Sequence, residues 1–488
     1  MPEKRGFVAV QVPSSAAQRA ADELPNIVKA YDIRGLVGQQ LNEESAWALG
    51  AGFAHLVDAP VIAVAHDMRD SSPGLAQAFA QGASETGTDV RMVGLASTDM
   101  LYFVSGHYDV PGAMFTASHN PAAYNGVKVC RAGAGPISTE TGLKQMAVTA
   151  RALLSGEQCL PPVVTSGPAG AVSSLEALND YAAYLNGLVE LSEIRPLKVV
   201  ADAGNGMAGY TVPAVFAGLP LEVVPLYFEL DGTFPNHEAN PLEPANLVDL
   251  QRAVREHGAD IGLAFDGDAD RCFVVDERGE PVSPSAVTAL VASVELVRDP
   301  GATVIYNLIT SAAVPEIIAE HGGVGVRSRV GHSYIKAEMA RTGAIFGGEH
   351  SAHYYFRSFW RADTGMLAAM HVLAALGTQD RPLSELAAQY HRYPASGEIN
   401  SKVDDAPAVL VAVENAYSAL PDTSVDHLDG LTITFGDASW FNVRASNTEP
   451  LLRLNVEAHD ATRLAQLREE VLGMIRAGNV EPLESPRP

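Results

Sequence analysis

A strand–helix–strand pattern occurs in three successive parts of the chain. In the first part, the apolar residues 60–67 predict a buried strand, Ser71 is expected to cap a helix, and residues 89–93 resume a strand. Similar apolar runs open a second part at residues 196–202 and a third at residues 302–306. Because parallel strands need a crossover connection, usually a helix, this pattern predicts α/β domains built on largely parallel sheets.

The remaining segments set the expected domain boundaries. The first two dozen residues have a weak pattern and are expected to form a loose arm or an edge element, and residues 155–174 are rich in Gly, Pro, Ser and Val, as in a linker. The last part changes style, because a helical pattern is followed by two strand patterns joined by a tight turn. We therefore expect α/β domains at 1–165, 166–282 and 283–393, and an α+β domain at 394–488.

The charge balance argues against two classes of partner. The 488 residues include 58 acidic and 33 basic side chains, which gives a net charge of −25. Such a chain is not expected to bind nucleic acid or an anionic membrane surface. The three cysteines, Cys130, Cys159 and Cys272, are scattered, and we see no apolar run typical of a signal peptide or a membrane span. These features predict a cytoplasmic protein without disulfides or structural zinc.

The densest chemistry follows a second apolar strand pattern at residues 259–265. Asp266, Asp268 and Asp270 alternate with small residues, and Arg271 comes next. Carboxylates this close together raise one another's pKa unless a cation lies among them, and their hard oxygen atoms suit Mg²⁺. An EF-hand is not expected, since Arg271 stands where that loop needs glycine. A solvated acidic turn and an aspartyl-phosphate enzyme with Asp266 as nucleophile are alternatives.

A second polar stretch follows the apolar residues 113–115. It places Ser118 and His119 before an Asn-Pro pair that forces a turn, and Lys128 follows nearby. Ser118 should therefore lie on a loop at a strand end, a usual place for chemistry in an α/β sheet. A serine-hydrolase site is disfavoured because the G-x-S-x-G pattern is missing, and simple capping of a turn remains an alternative.

Two further stretches suggest ligand binding. Residues 347–353 place Glu349, Ser351 and His353 between or near glycines, which suits a ligand with many hydroxyls or a hydrogen-bonded surface loop. Residues 444–450 interrupt two strand patterns with Arg, Ser, Asn and Thr, whose donors suit a phosphate. A capped loop without ligand is the alternative for this second stretch.

Taken together, these four stretches resemble the α-D-phosphohexomutase family from residue 31 to the end of the chain. The motifs T-A-S-H-N-P, D-G-D-A-D-R, G-E-H-S-A-H and R-A-S-N-T-E-P occur here in the family's order. The resemblance is strongest to phosphomannomutase and to phosphoglucomutase/phosphomannomutase members. It implies four domains around a central cleft, three of them sharing an α/β plan and the last being a TBP-like α+β domain.

The resemblance also implies a reaction that interconverts a hexose 6-phosphate and a hexose 1-phosphate, with mannose as the expected sugar. Ser118 would be a phosphoserine that gives its phosphate to the sugar, forming a 1,6-bisphosphosugar that reorients and returns the other phosphate. Mg²⁺ and this bisphosphosugar are the expected cofactor and activator. The residues carried over are catalytic Ser118, His119, Lys128, Arg34 and Arg271; metal-binding Ser118, Asp266, Asp268 and Asp270; and substrate-binding Tyr31, His332, Lys336, Glu349, Ser351, His353, Arg444, Ser446, Asn447 and Thr448.

The sequence leaves open the sugar preference, the presence of turnover and the oligomeric state. Glucose and mannose phosphates differ at C2, whereas the expected gripping pair, Glu349 and Ser351, would address other hydroxyls. A phosphoglucomutase or a dual-specificity mutase is therefore an alternative, and a metal-binding scaffold without turnover is a remote one. The partner is expected to be a hexose phosphate, and the chain is expected to be a monomer or a weak homodimer.

Overall fold

The computed structural model describes residues 15–157, 168–445 and 451–477. The chain divides into two compact units. Unit 1 is drawn from Met1–Pro281 and Phe356–Asp380, and unit 2 from Val282–Tyr355 and Arg381–Pro488.

The first part of unit 1 is an α/β domain that carries the Ser118 loop. Its helices are α1 (Ser15–Ile27), α2 (Glu43–Val57), α3 (Ser72–Ser84), α4 (Thr98–His107) and α5 (Lys144–Leu154), and its strands are β1 (Ile33–Leu36), β2 (Val61–His66), β3 (Asp89–Leu95), β4 (Gly112–Phe115), β5 (Tyr124–Arg131), β6 (Gly135–Pro136) and β7 (Val172–Ser174). The sheet order is β1-β5-β4-β2-β3-β7, with β6 beside β5. β2 runs parallel to β3 and β4, whereas β5 is antiparallel to β4.

The core of this domain explains why its strands read as apolar. The strand β2 is buried along Ile62–Ala65, and the rings of Phe53, Phe79 and Phe115 pack between helices and sheet with centroid separations of 5.7 and 5.4 Å. Burying one such ring stabilises the fold by about 2–3 kcal/mol. The same packing fixes the carboxyl ends of β2 and β4, where the polar loops begin.

The second part of unit 1 repeats the plan with fewer strands. It contains α6 (Leu178–Leu188), β8 (Leu197–Asp202), α7 (Ala208–Val215), β9 (Leu221–Leu226), α8 (Val248–His257), β10 (Ile261–Phe265), β11 (Cys272–Asp276) and β12 (Pro281–Val282). The sheet order is β12-β11-β10-β8-β9. β8 is parallel to β9 and β10, and β11 is antiparallel to β10 with Phe265 opposite Cys272. Residues 266–271 are therefore the loop of a hairpin.

The third α/β part lies mainly in unit 2. It contains α9 (Pro284–Arg298), β13 (Thr303–Asn307), α10 (Ala313–Glu320), β14 (Val324–Ser328), α11 (His332–Thr342), β15 (Phe346–Gly348) and β16 (Tyr354–Phe356). β13 lies between the parallel strands β14 and β15, and β16 follows β15 in the sheet. The chain then adds β17 (Ala362–Asp363) and α12 (Gly365–Gly377) to unit 1.

The last part of unit 2 is an α+β domain. Helix α13 (Leu383–Ala388) packs against α9 of the preceding part, and the elements of the last part are β18 (Ala395–Lys402), α14 (Ala406–Tyr417), β19 (Thr423–Asp426), β20 (Leu431–Phe435), β21 (Trp440–Ala445), β22 (Leu451–Glu457) and α15 (Ala461–Ala477). The antiparallel sheet has the order β18-β22-β21-β20-β19, and α14 and α15 cover its apolar face. The prediction of three α/β parts and a final α+β part is confirmed.

Three local expectations were wrong. Residues 15–27 form helix α1, which buries Ala20, Leu24 and Ile27 in the first core and is not a loose arm. The predicted N-cap position of Ser71 is confirmed, although its side chain makes no capping bond and its hydroxyl instead accepts a hydrogen bond from Asn125. Residues 172–174, expected in a linker, pair with β3 because an exposed edge of the sheet was open to them. A strand, β9, also intervenes before β10, which is therefore the third strand of its part.

The expectations about membrane spans and about cysteines concern the chain as a whole. Across residues 15–157, 168–445 and 451–477, we find no helix that is both long and apolar enough to cross a membrane. Cys130 and Cys272 are buried and take part in no disulfide among the described residues, and Cys159 lies outside those residues.

Candidate active site

Ser118 occupies a constrained position in the loop between β4 and β5. Its φ is 50°, in the left-handed region that non-glycine residues adopt rarely, and only 5% of its surface is exposed. Its hydroxyl donates to Asp266 Oδ2 at 2.9 Å and lies 3.2 Å from His119 Nδ1. A strained serine held against a carboxylate and an imidazole is typical of a functional position.

The acidic hairpin loop is buried and lies directly against Ser118. Asp266, Asp268 and Asp270 are at most 1% exposed. Gly267 permits the close approach, because a Cβ there would lie 2.5 Å from the Ser118 carbonyl oxygen. Two loops that are far apart in sequence are therefore joined into one site.

A lysine neutralises negative charge in this acidic loop, and a threonine helps to orient the loop. The Lys128 ammonium, projecting from β5, donates to Asp268 Oδ2 and Asp270 Oδ2 at 2.6 Å each. Thr98, at the start of α4, donates its hydroxyl to Asp268 Oδ2 at 2.6 Å and its backbone N–H to the Asp268 carbonyl at 3.0 Å. These charge-assisted bonds compensate part of the cost of burying the carboxylates.

The pKa values of the acidic residues diverge. Burial raises the pKa of Asp266 to about 7; Arg271 opposes this rise, and Asp270 and Asp268 add to it. Burial would also raise the pKa of Asp268, but the ammonium of Lys128 and the hydrogen bonds from Lys128 and Thr98 outweigh it and lower that pKa. The same carboxylates raise the pKa of Lys128 despite its burial.

Two arginines and a histidine complete the site in unit 1. Arg271 is 2% exposed and donates Nε to Asp266 Oδ2 at 2.9 Å, and it contacts His119 Nδ1 through Nη2. Burial, together with the positive charge of Arg271, lowers the pKa of His119 well below its ordinary value, so its imidazole is neutral near pH 7. Arg34 donates Nη1 to Asn120 Oδ1 at 2.6 Å and pairs with Asp32.

The acidic loop fits a hard divalent cation. One carboxylate oxygen from each of Asp266, Asp268 and Asp270 lies within 4.8 Å of the others. Within the described chain we find no hydrogen-bond partner for the buried Oδ1 of Asp268. A buried carboxylate oxygen without a donor is costly, and coordination to Mg²⁺ would remove that cost.

Glu349, in unit 2, is held rigidly where β15 ends. It is 2% exposed, its Oε1 accepts from the Gly331 N–H at 3.0 Å and from Asn307 Nδ2 at 3.2 Å, and its Oε2 accepts from the Tyr355 hydroxyl at 2.7 Å. Nearby, Ser351 Oγ lies 3.1 Å from His353 Nδ1. These three predicted sugar-binding residues therefore lie together in one loop.

The same loop depends on Ala352. This residue is fully buried and has a φ of 64°, a conformation in which glycine is usual. The loop therefore turns as tightly as a glycine would allow, although alanine occupies the turn.

Arg444, at the end of β21, is largely buried and paired. Its Nη2 donates to Glu398 Oε2 at 2.7 Å, and Arg453 Nη1 lies 3.4 Å from Glu398 Oε1. Ser446, Asn447 and Thr448, predicted to bind phosphate with Arg444, lie outside the described residues.

The remaining predicted residues occupy the two units as follows. Tyr31 precedes β1 in unit 1 and is partly exposed. His332 begins α11 in unit 2, directly after Gly331, whose N–H holds Glu349. Lys336 is 3% exposed, and its ammonium lies 5.8 Å from the centre of the Tyr355 ring.

Several residues that shape these sites escaped the sequence analysis. Arg69 follows β2 and donates to backbone carbonyls of the Ser118 loop. Thr98 bonds to the acidic loop, and Asn307 and Tyr355 hold Glu349. A signal was present for Arg69 and Asn307, since both belong to polar sequence at the carboxyl end of a parallel strand, where ligands bind in α/β sheets.

Comparison with known families gives a match along nearly the whole chain. Residues 25–151, 179–279 and 283–393 match the alpha/beta/alpha domains I, II and III of phosphoglucomutase/phosphomannomutase. Residues 398–474 match the C-terminal domain of the same family. The matching domains occur in the family's order.

Individual relatives agree with this match. The chain is 39% identical over 452 residues to a phosphomannomutase of Escherichia coli K12, covering 91% of this chain and 97% of the relative. It is 40% identical over 454 residues to a protein of Xanthomonas campestris named for phosphohexose mutases, covering 92% and 98%. A crystal structure of a phosphoglucomutase/phosphomannomutase family protein from Burkholderia thailandensis is 32% identical with a TM-score of 0.81, covering 93% and 97%. The chain therefore belongs to the phosphoglucomutase/phosphomannomutase family of α-D-phosphohexomutases and is an isomerase of the phosphohexose mutase class.

Proposed function

We propose that the protein interconverts mannose 6-phosphate and mannose 1-phosphate through a phosphorylated Ser118 and a 1,6-bisphosphosugar. The observation that carries this proposal is the buried contact between the Ser118 hydroxyl and Asp266, at 2.9 Å, within a site lined by Lys128 and Arg271. Relatives named phosphomannomutase, at 39% identity, support mannose as the sugar.

The first half-reaction is a phosphoryl transfer from Ser118 to the sugar. The bond between phosphorus and Ser118 Oγ breaks, and a new bond forms between phosphorus and the sugar oxygen. The sugar hydroxyl loses its proton to a base, and the Ser118 oxygen gains one. His119 and Lys128 are the candidates for these proton transfers, because both lie beside the Ser118 loop or the acidic loop.

The transferring phosphoryl group is negatively charged, and the main task of the site is to neutralise this charge. Asp266, Asp268 and Asp270, together with the phosphate on Ser118, would hold Mg²⁺, which supplies positive charge that neutralises the phosphoryl oxygens. Arg34, Lys128 and Arg271 provide further positive charge from the protein itself. Since the chain as a whole carries −25, this local concentration of cationic side chains is what allows an anionic substrate to bind.

Substrate recognition is assigned to residues that the sequence motifs mark in unit 2. Glu349 and Ser351 would accept or donate hydrogen bonds to the O3 and O4 hydroxyls, with His353 beside them. Arg444, Ser446, Asn447 and Thr448 would hold the phosphate that is not reacting, assisted by Lys336, His332 and, from unit 1, Tyr31. The proposal requires that both sets act on the same sugar phosphate and that the bisphosphosugar reorients before the second transfer.

A direct assay tests the proposal. Purified protein is incubated with mannose 1-phosphate, Mg²⁺ and a trace of bisphosphosugar, and kcat/KM is compared with that for glucose 1-phosphate. We expect measurable turnover of both sugar phosphates and a higher kcat/KM for mannose 1-phosphate. A chelator should abolish turnover, and added Mg²⁺ should restore it. The matched controls are Ser118→Ala, which removes the acceptor oxygen, and Glu349→Gln, which should weaken the sugar contact.

Each other result has a defined meaning. Equal kcat/KM values would replace mannose preference with dual specificity. A preference for glucose would make the protein a phosphoglucomutase. A complete lack of turnover with both sugars would contradict the proposal and favour a metal-binding scaffold.

A further inference from the structure

Arg69 lies directly beneath the Ser118 loop and is enclosed by protein. Its side chain is 1% exposed. It follows β2, and the neighbouring strand β4 leads into the Ser118 loop. The position is therefore one from which a side chain can reach loop backbone without reaching substrate.

All the N–H groups of the Arg69 guanidinium have an acceptor. Nε donates to Asp67 Oδ2 at 3.2 Å. Nη1 donates to the carbonyls of Pro121 and Tyr124 at 3.0 Å each. Nη2 donates to the carbonyls of Ser118 and Asn120 at 2.9 and 2.6 Å. Four of the five donors in the fixed guanidinium plane thus hold the four carbonyls of the Ser118 loop and the start of β5, and the fifth donor binds Asp67.

We propose that Arg69 is a positioning residue for phosphoryl transfer, because its guanidinium fixes the backbone of the Ser118 loop in the conformation that presents the Ser118 oxygen to the acidic loop. The inference rests on the proposed role of Ser118. Among the described residues we observe no hydrogen bond from Arg69 to the Ser118 hydroxyl or to the side chains of Asp266, Asp268 and Asp270.

The Ser118 carbonyl shows how the effect is transmitted. On one side it accepts from Arg69 Nη2, and on the other it lies against Gly267 of the acidic loop. Ser118 has a φ of 50°, a left-handed conformation that is strained for a residue with a side chain. Without Arg69, the loop would be free to relax toward ordinary φ values, and this would turn the hydroxyl away from Asp266.

Asp67 in turn orients Arg69. Its Oδ2 accepts from Arg69 Nε, and its Oδ1 accepts from the Arg69 N–H at 3.0 Å and from the Ser72 hydroxyl at 2.6 Å. Asn125, on β5, donates to Ser72 Oγ at 2.8 Å. Asp67 therefore orients Arg69 and is itself linked to β5 through Ser72 and Asn125, as a positioning role requires.

The central test is Arg69→Lys, which keeps the positive charge and loses the planar fork. Arg195→Lys is the matched control, since Arg195 also joins a carboxylate and a backbone carbonyl in unit 1, at Asp260 and Gln379, but has no contact with the loop that we observe in the described chain. We expect Arg69→Lys to lower kcat by about 10–100-fold, as a small misplacement of reacting groups does, and to leave KM within about twofold. Arg195→Lys should leave both constants near the wild-type values.

A second readout does not depend on turnover. Hydrogen–deuterium exchange of a peptide spanning residues 116–126 reports the order of the loop directly. Losing charge-assisted bonds should speed exchange there by about tenfold or more in Arg69→Lys, and exchange elsewhere in unit 1 should change little. Added guanidinium, below denaturing concentrations, should restore part of the kcat of Arg69→Ala.

If Arg69→Lys does not fold, Asp67→Asn provides the test, because it leaves Arg69 in place and weakens its orientation; the same changes are expected at smaller size. Unchanged loop exchange together with unchanged kcat would overturn the inference. A rise in KM with kcat unchanged would also overturn it, since that result indicates substrate binding. If wild-type protein carries no phosphate on Ser118, the proposed function fails, whereas the exchange comparison still decides whether Arg69 orders the loop.

Discussion

At the scale of single residues, Asp99 is a carboxylic acid enclosed by three helices. It belongs to α4 and accepts hydrogen bonds from Tyr181 of α6 and from Thr364, the N-cap of α12, at 2.7 Å each, and also from Ser97. Burial raises its pKa to about 6, although these hydrogen bonds oppose the rise. An acid whose folded-state pKa is raised binds more protons when folded than when unfolded, so its contribution to stability falls as pH rises.

We therefore predict a pH-dependent effect of Asp99→Asn. Relative to wild type, the variant should gain on the order of 3 kcal/mol in free energy of unfolding between about pH 4 and about pH 7, since the wild-type carboxylate ionises in this window at a cost. Denaturant unfolding at several pH values measures it. Asp180→Asn, at an exposed position of α6, is the control. A difference between Asp99→Asn and wild type that does not change with pH would show that this assignment is wrong.

Single residues also show where sequence reasoning ends. Ser118 and the acidic loop could be anticipated because unusual polar residues follow apolar strands. Arg69 had only a positional signal, since it lies in polar sequence after a parallel strand, and Asp99 had none, because an aspartate in a helix is ordinary in sequence. Their roles come from partners that lie far away in sequence, such as Tyr124 for Arg69 and Thr364 for Asp99.

At the scale of elements, the site in unit 1 lies where the Ser118 loop contacts the acidic loop. Each loop begins at the carboxyl end of a parallel strand. The contact between them depends on Gly267, because a Cβ there would lie 2.5 Å from the Ser118 carbonyl oxygen. The φ of Gly267 is not positive, so its backbone conformation would itself accept alanine. The requirement for glycine is therefore one of space between loops.

Gly267→Ala should accordingly push the acidic loop and the Ser118 loop apart. We expect kcat to fall by about 10–100-fold with the fold retained, because displacement of reacting groups by a fraction of an ångström is enough. Gly187→Ala is the matched control, since a Cβ at that position in α6 meets no atom within 4 Å among those described. Wild-type kcat in Gly267→Ala would mean that the two loops need not touch during the reaction.

The elements also show what the sequence could and could not predict about the fold. The parallel strands were predictable because buried strands are continuous apolar runs, as at Ile261–Phe265. Helix α1 was not, because its apolar residues are mostly alanines, it contains Pro25, and it is stabilised by packing its buried face on the first core. β7 was hidden because its three exposed residues pair with β3 only through backbone bonds.

At the scale of the whole molecule, the proposed function requires one sugar phosphate to bind residues of both units. Unit 1 carries Ser118 and the acidic loop, and unit 2 carries Glu349 and Arg444. The domain limits at 165, 282 and 393, the oligomeric state and the cytoplasmic location stay predictions. The assignment of Arg444 to the reaction is the part most open to a direct test.

Arg444→Ala should raise KM for the sugar phosphate by about 10–100-fold, because the proposed charge-assisted, two-pronged contact to phosphate would be lost. The bisphosphosugar should also escape more often, and phosphorylation of Ser118 by added bisphosphosugar should slow. Mg²⁺ affinity should barely change. The control is Arg468→Ala, because Arg468 is a partly exposed residue of α15 that pairs with the adjacent Glu469. If Arg444→Ala kept the wild-type KM and the wild-type rate of bisphosphosugar escape, the result would contradict a role of the last domain in substrate binding.

The most direct test of the central claim is to locate the covalent phosphate. Intact-mass analysis of freshly purified wild-type protein, followed by peptide mapping, should show a single, partly occupied phosphate on Ser118. Ser118→Ala should carry none and lose nearly all turnover while keeping its melting temperature, because this loop serine adds little to the core. Phosphate on Asp266 in place of Ser118 would contradict the account and indicate an aspartyl-phosphate enzyme.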